Sequence, residues 1–177
     1  MANNILIQKK AQAKDISALN RVAKCASDVT NGGAVAMTVK SAVSGESEVW
    51  VVTVPATATL DTGLWIAYSP EKVITTSGSN QYANIDPDPR NFTNLAGVPM
   101  DVFKPKVGDI LEYTVLGGTK STNTYVVASD ATSLMTWASA AISGLSMKLL
   151  ATSAIPIGTG SIGVTSVVSY VFEVTVE

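Results

Sequence analysis

Short apolar runs divided by turn residues recur from residue 34 to the end of the chain. Ala34 to Ala42 (AVAMTVKSA) predicts a strand, Ser44 to Glu46 a turn, and Glu48 to Val54 (EVWVVTV) a stronger strand closed by Pro55. Asp61-Thr62-Gly63 predicts a turn, Leu64 to Tyr68 (LWIAY) a strand closed by Ser69-Pro70, and Val73 to Thr76 a further short strand. Ile110 to Leu116 (ILEYTVL) and Thr124 to Ala128 (TYVVA), joined through Gly117-Gly118, predict a hairpin or meander step. Ser133 to Ala141 fits helix or strand, whereas Ser146 to Ala151, Ser161 to Thr165 and Ser169 to Val176 read as closing strands. The last, SYVFEVTVE, alternates imperfectly, as expected of a strand with both faces partly covered.

The first thirty residues have a different texture. Ile5, Leu6 and Ile7 are followed by Lys9, Lys10 and Lys14, a stretch too short and too basic to own a core. Residues 1–30 are therefore expected to be an N-terminal arm. Within it, Ile16, Leu19, Ala23 and Ala26 recur at spacings of three and four behind Asp15, which predicts a short amphipathic helix over Asp15 to Ala26. Asn31-Gly32-Gly33 would end it. A second irregular segment, at about 77–106, holds Asp86-Pro87-Asp88-Pro89, Gly97, Pro99 and Pro105, and its prolines argue against a central strand. A loop of this length in a compact domain is commonly functional or held down by contacts. The pattern as a whole predicts an all-β chain: a single β-barrel or β-sandwich domain over 31–177, with an extended N-terminal arm and one or two short helices.

Composition narrows the chemistry. The 177 residues contain no histidine and one cysteine, Cys25, which removes His-based acid–base relays and internal disulfides. Charged residues make up only 15%, well below the usual quarter, so much of the surface is neutral and suited to cover by partners. A formal net charge of −2 predicts no general attraction to nucleic acid or to anionic membrane. The opening MANNILIQKKAQAKD has no apolar signal region, and no run of about 18 apolar residues could cross a bilayer, so synthesis in a cytoplasm is expected.

The remaining candidates for chemistry each have a plainer reading. Gly117-Gly118-Thr119-Lys120-Ser121 contains G-T-K-S without the full phosphate-loop pattern, and reads as a hairpin loop. Asp86 and Asp88 could offer oxygens to calcium, but their spacing misses the EF-hand pattern and turn capping is favoured. Glu46 with Glu48, or Glu112 with an aspartate, could form a carboxylate pair for hydrolysis; a solvated strand face is the simpler reading. Asn91-Phe92-Thr93 is a glycosylation sequon that matters only on a secretory route. Trp50, Trp65 and Trp137 lie in strand-like or Ala-rich runs and are read as core anchors over sugar platforms. No catalytic residue, metal ligand or cofactor is expected.

LWIAYSPE (Leu64 to Glu71), NIDPDPRNFTNLAGVPMDVFKPKVGDI (Asn84 to Ile110), the closing SYVFEVTVE and the opening NILIQKKAQAKDISALNRVAK together resemble the head decoration, or capsid cement, proteins of tailed bacteriophages. The resemblance covers most of the chain and is one of texture and phrase order, with no catalytic motif. It implies a structural virion protein, made in the bacterial host cytoplasm, that binds the outer surface of the capsid and bridges neighbouring subunits of the mature head. The implied partners are the major capsid protein and copies of the chain itself, in a trimer or another symmetric cluster, without direct contact to nucleic acid or membrane. The contact residues expected are Ile5, Leu6, Ile7, Lys9 and Lys10 in the arm and Asp86, Pro87, Arg90 and Phe92 in the long loop, because both segments lie outside the expected core. Other virion parts (a head fibre, tail or baseplate subunit) share this composition, and a carbohydrate-binding β module is the further alternative.

Overall fold

The computed structural model describes residues 3–57, 60, 63–70, 74–77, 80–83, 88–130, 132–158 and 164–177. Its strands are β1 (Leu6–Lys10), β2 (Asn20–Cys25), β3 (Ala34–Lys40), β4 (Val49–Thr53), β5 (Trp65–Ala67), β6 (Ile74–Ser77), β7 (Asn80–Ala83), β8 (Met100–Phe103), β9 (Ile110–Tyr113), β10 (Tyr125–Val127), β11 (Thr136–Ala138), β12 (Ser146–Gly158) and β13 (Val164–Val176). They form a closed barrel in the order β2-β4-β3-β5-β8, a six-stranded sheet in the order β1-β9-β13-β12-β10-β11, and a separate β6–β7 hairpin. The all-β expectation therefore holds, with a barrel and a second sheet packed on it. In the barrel only β2 and β4 run parallel.

Two clusters of side chains account for the packing. Ala23, Cys25, Val35, Val52, Ala67, Met100 and Val102 form one, drawn from all five barrel strands. Most are small, as the narrow interior of a five-stranded barrel requires. The other joins Ala34, Ala36, Leu64, Ile66 and Phe103 to Leu6, Leu111, Tyr113, Val126, Trp137, Met147, Phe172 and Val174 of the six-stranded sheet. Neighbouring residues on β3, β5 and β8 thus serve different clusters: Val35 and Ala36, Ile66 and Ala67, Val102 and Phe103. Strands buried on both faces read as continuous apolar runs, which is why AVAM and WIA do not alternate.

The expected helix over Asp15 to Ala26 is not formed. Two single 3-10 turns, Gln12–Lys14 and Ser17–Leu19, lead into β2 instead. Ala23 and Cys25, two residues apart, enter the barrel while Val22 stays exposed, so a period of two wins over one of three to four. The N-terminal segment is extended, as expected, but it is paired: β1 is an antiparallel edge strand on β9, with Leu6 opposite Tyr113 and Ile7 opposite Glu112. The segment at about 77–106 is likewise more regular than expected. It carries β7, a 3-10 turn at Pro89–Asn91, and β8, which closes the barrel against β2 and β5. Pro99 and Pro105 flank β8 rather than interrupt it.

Candidate functional site

Four polar side chains with little or no exposure tie the N-terminus to the body. Asn4 donates from Nδ2 to the Asn31 carbonyl at 2.7 Å, and its Oδ1 accepts from the backbone N–H of Thr114 and of Val115 at 2.9 Å each. Asn31 Oδ1 accepts from Ser69 N–H at 3.0 Å and from Asn94 Nδ2 at 3.1 Å. Asp109, fully buried, accepts from Gln12 N–H and Lys106 N–H at 2.9 Å each. Such groups are expensive to bury unpaired, so the bonds fix these segments in place. Composition flagged none of them, because an asparagine in a turn-rich sequence looks like turn chemistry.

The expected contact residues divide clearly. Ile5, Leu6 and Phe92 are buried within the chain itself, and Ile7 is half-buried. Lys9 and Lys10 are exposed, and Lys9 Nζ reaches Glu112 Oε2 at 2.9 Å. Arg90 is half-buried and grips Asp88 with Nε at 2.9 Å and Nη2 at 2.6 Å, which holds the Asp88 carboxyl below its usual range and raises the guanidinium above its own. Asp86 and Pro87 lie outside the described residues. The arm and the loop are brought together: Asn3 N–H donates to the Arg90 carbonyl at 2.8 Å. Ile5, Leu6, Ile7 and Pro89 share a cleft of about 380 Å³ with Ile155, Pro156 and Ile157 of β12.

That cleft leads to the feature that sequence reading missed. β12 and β13 are thirteen residues each and pair from Ser146 opposite Val176 to Gly158 opposite Val164. β10 covers only Ser146 to Lys148 of β12, and β9 covers only Tyr170 to Glu173 of β13. Beyond those points the pair continues as a two-stranded ribbon, with a register shift between Leu149 and Ala151. Leu149 to Phe172 contains no Asp, Glu, Lys or Arg. Ile157 and Ser169 are buried against the body, while Leu150 is 51% exposed and Val168 53%. The clue is legible as an uncharged run of short apolar and Ser/Thr residues, but the pattern divides the region among three shorter strands, Ser146 to Ala151, Ser161 to Thr165 and Ser169 to Val176.

A larger cleft, about 910 Å³, is lined among others by Lys14, Arg21, Lys40, Glu48, Trp50, Tyr68 and Asp101. Trp50 and Trp65 are half-buried, with the Lys40 ammonium 5.8 Å from the Trp50 ring centre and the Arg21 guanidinium 5.9 Å from that of Trp65. Trp137 is a core residue, edge-on to Tyr170 at 5.1 Å. Of the carboxylates considered for hydrolysis, Glu46 and Glu112 are engaged elsewhere, and Glu48 lines this cleft. Glu46 pairs with Lys24 and accepts from Ser41 Oγ at 2.8 Å, which lowers its pKa, and Glu112 is held by Lys9 and by Ser169 Oγ at 2.5 Å. No helix is long and apolar enough to cross a membrane among the described residues. No family model, curated protein or solved structure matches this chain.

Proposed function

We propose that this chain is a structural virion protein that binds the outside of a tailed-phage capsid and stabilises the mature head by bridging neighbouring capsid subunits. The observation that carries the reading is the ribbon. A charge-free span of 24 residues, Leu149 to Phe172, presents Leu150 and Val168 to solvent, which suits burial against a partner better than an unaccompanied life in water. Charges elsewhere are partly consumed in internal pairs, Lys9–Glu112, Lys24–Glu46, Arg90–Asp88 and Lys106–Glu177, which leaves shape and apolar contact as the main means of recognition. The phrase-level resemblance of the sequence to head decoration proteins supplies the partner, the major capsid protein. Many copies, each binding only the expanded lattice, add up to a large stabilisation of that state.

The test is to mix purified protein with expanded heads that lack it, then to measure occupancy and the temperature at which the heads open. Saturable binding in fixed ratio to the capsid subunits, with a higher opening temperature, is expected. Heads that take up none of the protein overturn the reading.

A carbohydrate-binding module is the second reading, favoured by one observation: Trp50 and Tyr68 line the same open cleft as Asn20, Glu48 and Asp101. Aromatic faces beside planar polar groups suit a polyhydroxylated ring. Binding of a glycan that disappears in Trp50→Ala while uptake on heads persists would assign the cleft to sugar without touching the first reading.

A further inference from the structure

A sheet that ends in bare strands needs protection against pairing with other chains, and the six-stranded sheet protects its edges unequally. At one side β1 carries Lys9 and Lys10 and a register irregularity between Gln8 and Lys10, two standard guards. At the other, β11 is covered by residue 117: Gly117 N–H donates to the Met135 carbonyl at 2.8 Å, and Trp137 N–H donates to the Gly117 carbonyl at 3.0 Å. The free edge of β12 is interrupted by Pro156, which has no N–H, and the Lys120 ammonium reaches Thr152 Oγ1 at 3.3 Å. The edge of β13 over 164–168 has none of these. It holds no charge and no proline, its residues Val-Thr-Ser-Val-Val favour strand, and among the described residues its backbone pairs only with β12.

We propose that this edge of β13, residues 164–168, pairs antiparallel with the same segment of a second copy of the chain, so that two copies share a continuous sheet about a twofold axis. The occupant follows from charge. Self-pairing at the β1 edge would set Lys9 and Lys10 against their own copies, whereas self-pairing at β13 opposes neutral β-branched and hydroxyl side chains with no repulsion. A partner recognised through charge would find nothing on the ribbon to read. Antiparallel pairing of a segment with itself is isologous and closes at two copies, leaving the rest of each chain free for another surface. The inference names the self-contact within the capsid-binding reading, and rests on that reading only for its setting.

Sedimentation equilibrium of the full chain tests it, with a double variant, Thr165→Lys and Val168→Lys, that places cations on two exposed positions of the edge strand. Val98→Lys, an exposed apolar position in the 94–99 loop, serves as control. The wild type and the control are expected to be dimers at roughly 100 μM, a concentration that fills any interface of micromolar affinity. The double variant is expected to be monomeric, with an unchanged far-ultraviolet spectrum. Amide hydrogen exchange supplies a second readout that needs no variant: protection at 164–168 should rise with protein concentration. A wild type that stays monomeric at that concentration overturns the proposal, as does a dimer that the double variant leaves intact. Protection of 164–168 that arises only on heads, from a monomer in solution, overturns it too and leaves the capsid reading standing. A ribbon dimer that heads do not take up has the opposite meaning.

Discussion

Glu112 lies between Lys9 and Ser169, with Oε2 2.9 Å from the Lys9 ammonium and Oε1 2.5 Å from the Ser169 hydroxyl. Its register partners are Ile7 on β1 and Val171 on β13, so the two contacts run diagonally to either side of β9. One carboxylate thus fastens the N-terminal strand to the root of the ribbon. The Glu112 side chain is 3% exposed and that of Lys9 is 45% exposed, so the carboxylate bears the desolvation and the ammonium is the replaceable half. Lys9→Met leaves a buried charge with only Ser169 to answer it. The expected loss is about 1–3 kcal/mol of stability, read from urea unfolding. Adding Glu112→Gln removes the charge itself and is expected to restore much of the loss. Equal stability of Lys9→Met and wild type would refute the coupling.

The N-terminus is held more firmly still by Asn4, which satisfies two backbone N–H groups on one side and the Asn31 carbonyl on the other. Gly32 permits that approach: its φ is +77°, and a Cβ there would stand 2.3 Å from Asn4 Nδ2 and 2.6 Å from Tyr113 Cε1. Asn4→Ala is expected to cost about 1–3 kcal/mol and Gly32→Ala at least as much, because the first orphans buried N–H groups and the second adds both clash and strain. Limited proteolysis should then cut near residue 10 in Asn4→Ala but not in the wild type. A wild-type digestion pattern in that variant would show that β1 holds without its asparagine.

Tyr113 gives the opposite sign. Its ring packs edge-on to Phe172 at 6.1 Å, yet its hydroxyl is buried with no hydrogen-bond partner among the described residues, and burial pushes its pKa well above the ordinary tyrosine value. Removing an unsatisfied hydroxyl while keeping the ring is expected to stabilise. Tyr113→Phe should raise Tm by a few degrees, on the order of 1 kcal/mol. A lower Tm would mean that the hydroxyl is satisfied after all, by a solvent molecule held in the core.

The strands legible in the sequence were those whose apolar residues cluster between turn signals. β3, β4, β5, β9 and β10 all fall within the expected runs, because Val, Ile and aromatic residues on a pleated surface leave a local mark. β2 hid behind alanine. Ala23 and Ala26 fit a helical stripe as well as a strand, and only the narrow barrel interior, a nonlocal fact, selects the strand. β8 hid behind Pro99 and Pro105, which forbid a ladder at their own positions and not at the four strand residues Met100–Phe103 that lie between them. The ribbon was underestimated for a related reason. Only parts of it, Ser146 to Ala151, Ser161 to Thr165 and Ser169 to Val176, read as strand, and that β12 and β13 run on past β10 and β9 depends on the lengths of partners far away in sequence.

Acid is expected to weaken the fold in a definite window. Lys24 and Ser41 hold the Glu46 carboxyl below its ordinary value, and Arg90 does the same for Asp88. A carboxyl whose pKa is lower folded than unfolded binds protons more readily in the unfolded chain. Its contribution is therefore complete above the unfolded value, roughly 4, and is lost as pH falls through the lowered folded value. Stability should be level between about pH 5 and 8 as far as these two groups are concerned, then fall toward pH 2. Asp88→Asn should flatten part of that acid limb, and so should Glu46→Gln, each lowering stability at neutral pH and little at the acid end. Thermal melts at a series of pH values check this, and an acid limb equally steep in both variants would place the proton uptake on other carboxyls.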